Sequence, residues 1–361
     1  MLFNPFVLGV SSFIQQTKTF FNIQNEFLKS AGHLLPTIQS NEMTVLRPDP
    51  RHIGEWQRHV FEAPKSSTET FVDSLDYYTF IPAPAKDGLN SKYRGLVVML
   101  HGCEQNASVF AQGSQMNVFA QRFGFVVLYP EQSKSHHLAQ CWRWFNLASN
   151  AGMAEANTIS ELIAQTIKKH DIHPDRVFVA GMSAGAGMAT VLAFSFPEKI
   201  AAVALHSGPV FGHANNMVSG LEVMSRFTAT NDEDLIASLR TFAKPKLHDI
   251  PTLIIHGVMD RRVNISNAAA LTKQALFLND LALDTEALIS RHETDTQNAY
   301  TQKVYCCKDK PVIKVLEVDN MAHDWAGGDT SLPFNGEYGP NSSEMILRFF
   351  YHHATPSNEL K

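Results

Sequence analysis

Short apolar runs of β-type alternate with stretches of helical spacing along most of this chain. The runs fall at residues 77–81, 95–100, 125–129, 176–180, 201–205, 252–255 and 312–318. Their near-continuous apolar character is that of strands buried on both faces. Between them, residues 109–123 and 154–170 place apolar side chains at helical spacing. Such alternation predicts an α/β protein, with a mostly parallel sheet covered by helices on both faces.

Two stretches depart from this rhythm. Residues 1–60 carry amphipathic helical character through Phe20, Phe21, Ile23 and Phe27, then break at Pro36 and Pro48-Asp49-Pro50. They read as a partly helical N-terminal extension to a domain spanning residues 61–355, with 356–361 as a tail. Residues 215–248 read as a polar, partly helical insertion between two strands, where sheets of this kind often carry a cap.

The run at 176–180 leads into Gly181-Met182-Ser183-Ala184-Gly185, and a small-residue helix opens directly after it. A G-x-S-x-G pattern is common by itself. Between a strand and a helix it becomes a nucleophile elbow, a sharp turn on which Ser183 stands exposed and the glycines avoid clashes. A serine hydroxyl is a poor nucleophile at neutral pH and needs a histidine base held by a carboxylate.

Those partners belong in loops after later strands. Asp260 follows the run at 252–255, within His256-Gly257-Val258-Met259-Asp260, and His323 follows the run at 312–318, within Met321-Ala322-His323-Asp324-Trp325. The chain order Ser, Asp, His is that of the α/β-hydrolase arrangement. An aspartate in such a loop also serves as a turn or cap residue. Asp324 is a rival acid, although adjacent side chains rarely aim at one another. Backbone N–H groups are needed for the oxyanion: Ala184 supplies one by elbow geometry, and Cys103, in the turn His101-Gly102-Cys103 after the run at 95–100, the other. An ordinary strand-to-helix turn is the alternative reading of that segment.

Composition narrows the picture further. The 361 residues are 44% hydrophobic and 18% charged, the profile of a soluble globular protein. A net charge of −5, without a basic run, excludes a nucleic-acid footprint. No window reaches the roughly 18 consecutive apolar residues of a membrane span. Sixteen histidines contain no metal-binding spacing, so no metal and no cofactor is expected.

His101-Gly102-Cys103-Glu104-Gln105, Cys141-Trp142-Arg143-Trp144-Phe145, the Gly181–Gly185 elbow, His256-Gly257-x-x-Asp260 and His323-x-Trp325-x-Gly327-Gly328 together resemble the polyhydroxybutyrate depolymerase family of esterases. That family includes feruloyl and acetyl xylan esterase-like members. The similarity runs over about residues 70–353, in order. It implies a serine esterase acting through an acyl-enzyme on a hydroxyalkanoate polyester or oligomer, with feruloyl or acetyl xylan esters as the alternative. The same roles fall on Ser183, Asp260, His323, Cys103 and Ala184. Val258, Ala322 and Ala326 depart from the residues the family commonly has there, and bear on loop stiffness and substrate fit more than on the triad.

Cys103 and Cys141 both lie in site-forming loops, which makes a disulfide bracing the oxyanion turn the expectation, against two buried free thiols as the alternative. Cys306 and Cys307 are adjacent, and their state is not readable. Trp142, Trp144 and Trp325 are candidates for an aromatic wall along the substrate, although aromatics are more often core. Outside the enzymes, a non-catalytic binding module on the same fold is the competing reading, and the complete Ser183, Asp260, His323 set argues against it. Many family members are secreted. The N-terminus has an apolar patch but neither a basic segment nor a clear cleavage site, so compartment and oligomeric state stay open.

Overall fold

The computed structural model describes residues 54–63, 71–83, 93–147, 151–229, 231–242, 249–293 and 297–354. The proposed extension lies outside the described residues up to position 53, as do 356–361. Residues 54–60 are not part of an extension: Gly54–Glu62 form β1, the first strand among the described residues, paired antiparallel with β2 (Ser74–Pro82).

Six strands form the parallel centre of the sheet, in the order β4 (Phe125–Glu131), β3 (Gly95–Leu100), β5 (Val177–Met182), β6 (Ala202–His206), β7 (Thr252–Gly257) and β10 (Lys310–Val318). Antiparallel strands close both sides: β2 and β1 flank β4, while β9 (Tyr300–Cys307) and β8 (Leu288–His292) flank β10. Every residue of β3, β5, β6 and β7 is buried, which is why these strands read as unbroken apolar runs. The edge strands mix polar and apolar positions and carry a weaker signal.

Alternate side chains of each strand enter two cores. On one face Leu96, Val98 and Leu100 pack with helices α3 (Ala151–His170), α4 (Ala184–Ser195) and α7 (Ser266–Leu278) through Ile159, Leu192 and Leu271. On the other, Val97 and Met99 pack with α1 (Ala107–Ser114), α2 (Met116–Phe123) and α8 (Ser342–Ala354) through Phe110, Phe119 and Phe350. The single helix expected over 109–123 is therefore two. Gln115 adopts the left-handed conformation at φ 54°, ending α1 and turning the chain into α2.

The 215–248 insertion contains α5 (Met217–Ser225) and α6 (Asp232–Phe242). Much of α6 is core rather than cap: Leu235, Ile236 and Leu239 are buried in the cluster that holds α4 and α7. The Gln274 amide of α7 donates to Leu235 O at 3.1 Å, and Lys273 pairs with Asp232 at 2.6 Å. No helix among the described residues is long and apolar enough to cross a membrane.

Candidate active site

Ser183 occupies the junction of β5 and α4 with φ 55° and ψ −122°. That is a strained conformation for a residue with a Cβ, costing on the order of 1–3 kcal/mol, and the surroundings over-determine it. A Cβ on Gly185 would lie 2.0 Å from Leu100 O, so only glycine lets α4 start this close to β3. The Ser183 N–H donates to His206 O at 2.9 Å, and the first helical bond runs from Gly187 N to Ser183 O at 3.0 Å. The N–H groups of Ala184, Gly185 and Ala186 thus precede the helical ladder, at the positive end of the helix dipole.

Asp260 and His323 come together because the loops after β7 and β10 are stitched to each other. Val258 N donates to Val318 O at 2.8 Å and Met259 N to Met321 O at 3.1 Å. A Cβ on Gly257 would sit 2.2 Å from Met321 O, so glycine permits this approach. His323 Nδ1 lies 2.7 Å from Asp260 Oδ2. The other carboxylate oxygen, Oδ1, accepts the N–H groups of Arg262 and Val263, each at 2.9 Å. Burial alone would raise the pKa of Asp260, but the hydrogen bond and charge of His323 outweigh it, and the carboxyl stays below its usual range. An ionised Asp260 can only accept, so Nδ1 of His323 carries the proton and Nε2 keeps a lone pair. Asp324 is half-buried and raised by that burial, with His323 acting against the shift.

The turn after β3 reaches the nucleophile from the other side. A Cβ on Gly102 would meet Ser183 Cβ at 3.4 Å. Gly102 N donates to Gln105 Oε1 at 2.9 Å, whereas the Cys103 N–H has no partner among the described residues. Cys103 is joined to Cys141 by a disulfide, and Cys306 and Cys307 are free thiols.

A buried polar network underlies that turn. His101 Nδ1 lies 2.8 Å from Gly102 O, and its Nε2 accepts the Gln132 N–H at 3.0 Å; burial pushes the imidazole down to about 4, so it is neutral. The Gln132 side-chain amide donates to Cys141 O at 3.2 Å and to Glu155 Oε1 at 2.7 Å, while Glu155 Oε2 accepts the Arg143 N–H at 2.7 Å. Burial pushes the Glu155 carboxyl up to about 7, against the opposing influence of those N–H groups and of the Arg143 guanidinium. Sequence reasoning missed Gln132, Glu155 and His206. Glu155 had a signal, a carboxylate on the buried stripe of α3 with Gly152, Ala156 and Ile159.

The three tryptophans do not form a substrate wall. Trp142, Trp144 and Trp325 are 0%, 4% and 1% exposed, leaving no face for a ligand. Trp142 Nε1 donates to His101 O at 3.1 Å, and Trp325 Nε1 to Ser343 Oγ at 3.2 Å. Trp144 lies against Gly187 of α4. Large rings whose N–H finds an internal partner are stable in the core, and here they brace the loops that carry the site. Among the described residues no group of three or more His, Cys, Asp or Glu side chains is placed to hold a metal ion.

A parallel central sheet, a strained serine at the strand-to-helix turn, and an acid and a histidine in the loops after the neighbouring later strands β7 and β10 define an α/β-hydrolase fold. A solved acetyl xylan esterase from Aspergillus awamori shares it, with a TM-score of 0.61 at 20% identity over 75% of this chain and 94% of that one. The chain belongs to the family described as esterase PHB depolymerase, whose model matches residues 75–299. Poly(3-hydroxyalkanoate) depolymerase C of Paucimonas lemoignei is 30% identical over 236 residues, 63% of this chain and 54% of that protein. Acetylxylan esterase A of Talaromyces purpureogenus is 34% identical over 116 residues, 32% of this chain and 30% of that protein. The chain spans about half or less of the length of these curated relatives.

Proposed function

We propose that this protein is a serine carboxylic-ester hydrolase. The observation that carries the reading is the His323 Nδ1 to Asp260 Oδ2 approach of 2.7 Å, made by loops that end on the same side of the sheet as the strained Ser183. His323 Nε2 takes the Ser183 hydroxyl proton as Oγ attacks the ester carbonyl, and returns it to the leaving alcohol. The Ala184 and Cys103 N–H groups hold the developing oxyanion. His323 then activates water to release the acid and restore Ser183. Asp260 stays ionised throughout and stabilises the imidazolium.

For substrate, we favour a hydroxyalkanoate polyester or its oligomers, supported by the breadth of the match to the polyhydroxyalkanoate depolymerase, 63% of this chain against 32% for the xylan esterase. Acetylated xylan is the second reading, favoured by the shared fold of the Aspergillus awamori enzyme across 94% of its length. Ser183→Ala tests the chemistry: p-nitrophenyl ester hydrolysis falls to background in a folded protein, and retained turnover refutes the reading. Hydroxybutyrate oligomers, acetylated xylan and methyl ferulate, assayed side by side, separate the substrates.

A further inference from the structure

His206 ends β6, paired with Met182 of the nucleophile strand on one side and with Ile255 of the acid strand on the other. It is 1% exposed, and its backbone and ring serve two different loops. The carbonyl accepts the Ser183 N–H at 2.9 Å. The ring stacks on Trp325, with centroids 4.7 Å apart and planes 17° from parallel. Its Nε2 lies 3.4 Å from Ala326 N and 3.1 Å from Ser342 Oγ, and its Nδ1 lies 3.2 Å from Ser207 Oγ. Trp325 and Ala326 directly follow His323 and Asp324.

The tautomer follows from these partners. A backbone N–H can only donate, so Nε2 holds the lone pair that receives Ala326, and Nδ1 carries the proton toward Ser207. Burial keeps the ring neutral, which leaves that lone pair available. Ser207 itself takes a left-handed φ of 50°, so the non-glycine residues directly after two adjacent parallel strands, Ser183 after β5 and Ser207 after β6, are held in strained turns at the same end of the sheet. His206 stands between them.

We propose that His206 is a positioning residue, a strut whose carbonyl fixes the nucleophile turn while its ring anchors the loop bearing the base, setting the Ser183-to-His323 geometry. The proposal rests on the esterase reading above. Proton transfer between two side chains from separate loops is sensitive to their separation, and a misplacement of about 1 Å can cost on the order of 100-fold in rate. The bonds that stitch the loops after β7 and β10 align His323 with Asp260. His206 connects that pair to the elbow.

Two substitutions separate its contributions. His206→Phe keeps a ring for Trp325 but removes the acceptor for Ala326. His206→Gln places a side-chain oxygen near the position of Nε2 and gives up the stack. For His206→Phe, kcat on p-nitrophenyl acetate falls about tenfold or more, KM stays within about twofold, and phosphonylation of Ser183 by a fluorophosphonate slows by the same factor. His206→Gln recovers kcat to within about threefold of the parent. A merely structural role would lower Tm while leaving kcat per titrated site unchanged, and that result overturns the proposal. If the Phe variant does not fold, a folded Gln variant that loses tenfold or more in kcat overturns it instead. Ser183→Ala and His323→Ala run alongside. Turnover by either refutes the esterase reading itself, whereas their inactivity beside a fully active His206→Phe refutes the strut alone.

Discussion

Asp260 and His323 stand 63 positions apart in the chain, yet the carboxylate oxygen of one lies 2.7 Å from the ring nitrogen of the other. The orientation is enforced from behind, because Oδ1 of Asp260 is occupied by the N–H groups of Arg262 and Val263. That arrangement makes an amide at position 260 informative. In Asp260→Asn those two donors select the amide oxygen, which turns the amide NH2 toward His323 and forces the imidazole into the opposite tautomer. Its Nε2 then carries a proton and cannot act as base. We expect kcat to fall on the order of 10³- to 10⁴-fold with little change in KM. Steady-state kinetics on a p-nitrophenyl ester measures this, and a loss under tenfold is incompatible with the proposed role.

The Cys103–Cys141 disulfide closes a loop with a sequence separation of 38. Loop-closure entropy assigns a bridge of that span about 3–4 kcal/mol. Cys103→Ser with Cys141→Ser, or reduction by dithiothreitol, lowers unfolding stability by about that amount. Because Cys103 also carries the proposed oxyanion N–H, kcat falls with it. Equal stability of the oxidised and reduced proteins in urea would contradict the bracing role.

Trp142 tests whether the buried indoles touch substrate. Trp142→Phe keeps most of the ring but leaves His101 O without its indole donor, a loss of about 1–2 kcal/mol. A side chain with 0% exposure offers a substrate no contact, so the ratio of KM values for short-chain and long-chain p-nitrophenyl esters stays at that of the parent. A selective rise for the long-chain ester restores the aromatic wall.

Glu155 couples the network beneath the oxyanion turn to pH. Its carboxyl is pushed from 4.5 up to about 7 by burial. The folded protein therefore holds this proton more tightly than the unfolded chain. The resulting stability is complete below about pH 4.5 and is lost as pH rises through about 7. Over that window the parent loses up to about 3 kcal/mol relative to Glu155→Gln, which does not titrate. Denaturant unfolding of both proteins at about pH 5 and about pH 8 gives the difference, and a difference that does not vary with pH disproves it.

Much of the fold was legible because its centre is buried on both faces. Strands β3, β5, β6 and β7 admit almost no polar side chains, so their positions stand out in one dimension. The edge strands β1, β8 and β9 face solvent in part, and their mixed composition hid them. The split of α1 from α2 was equally hidden, since it turns on the left-handed conformation of Gln115, a residue with no strong preference for it.

Residue types and their order along the chain determined the α/β class, the elbow at Ser183 and the family, because local sterics at a strand-to-helix turn and the burial of parallel strands leave marks in sequence. Which acid faces His323, that the tryptophans are packing rather than binding surface, and that Gln132, Glu155 and His206 hold the loops in place were decided only by tertiary structure. Those properties depend on distances between segments far apart in the chain and on which side of a ring is covered. Hydrophobic periodicity records whether a position is buried, and carries no information about what it is buried against.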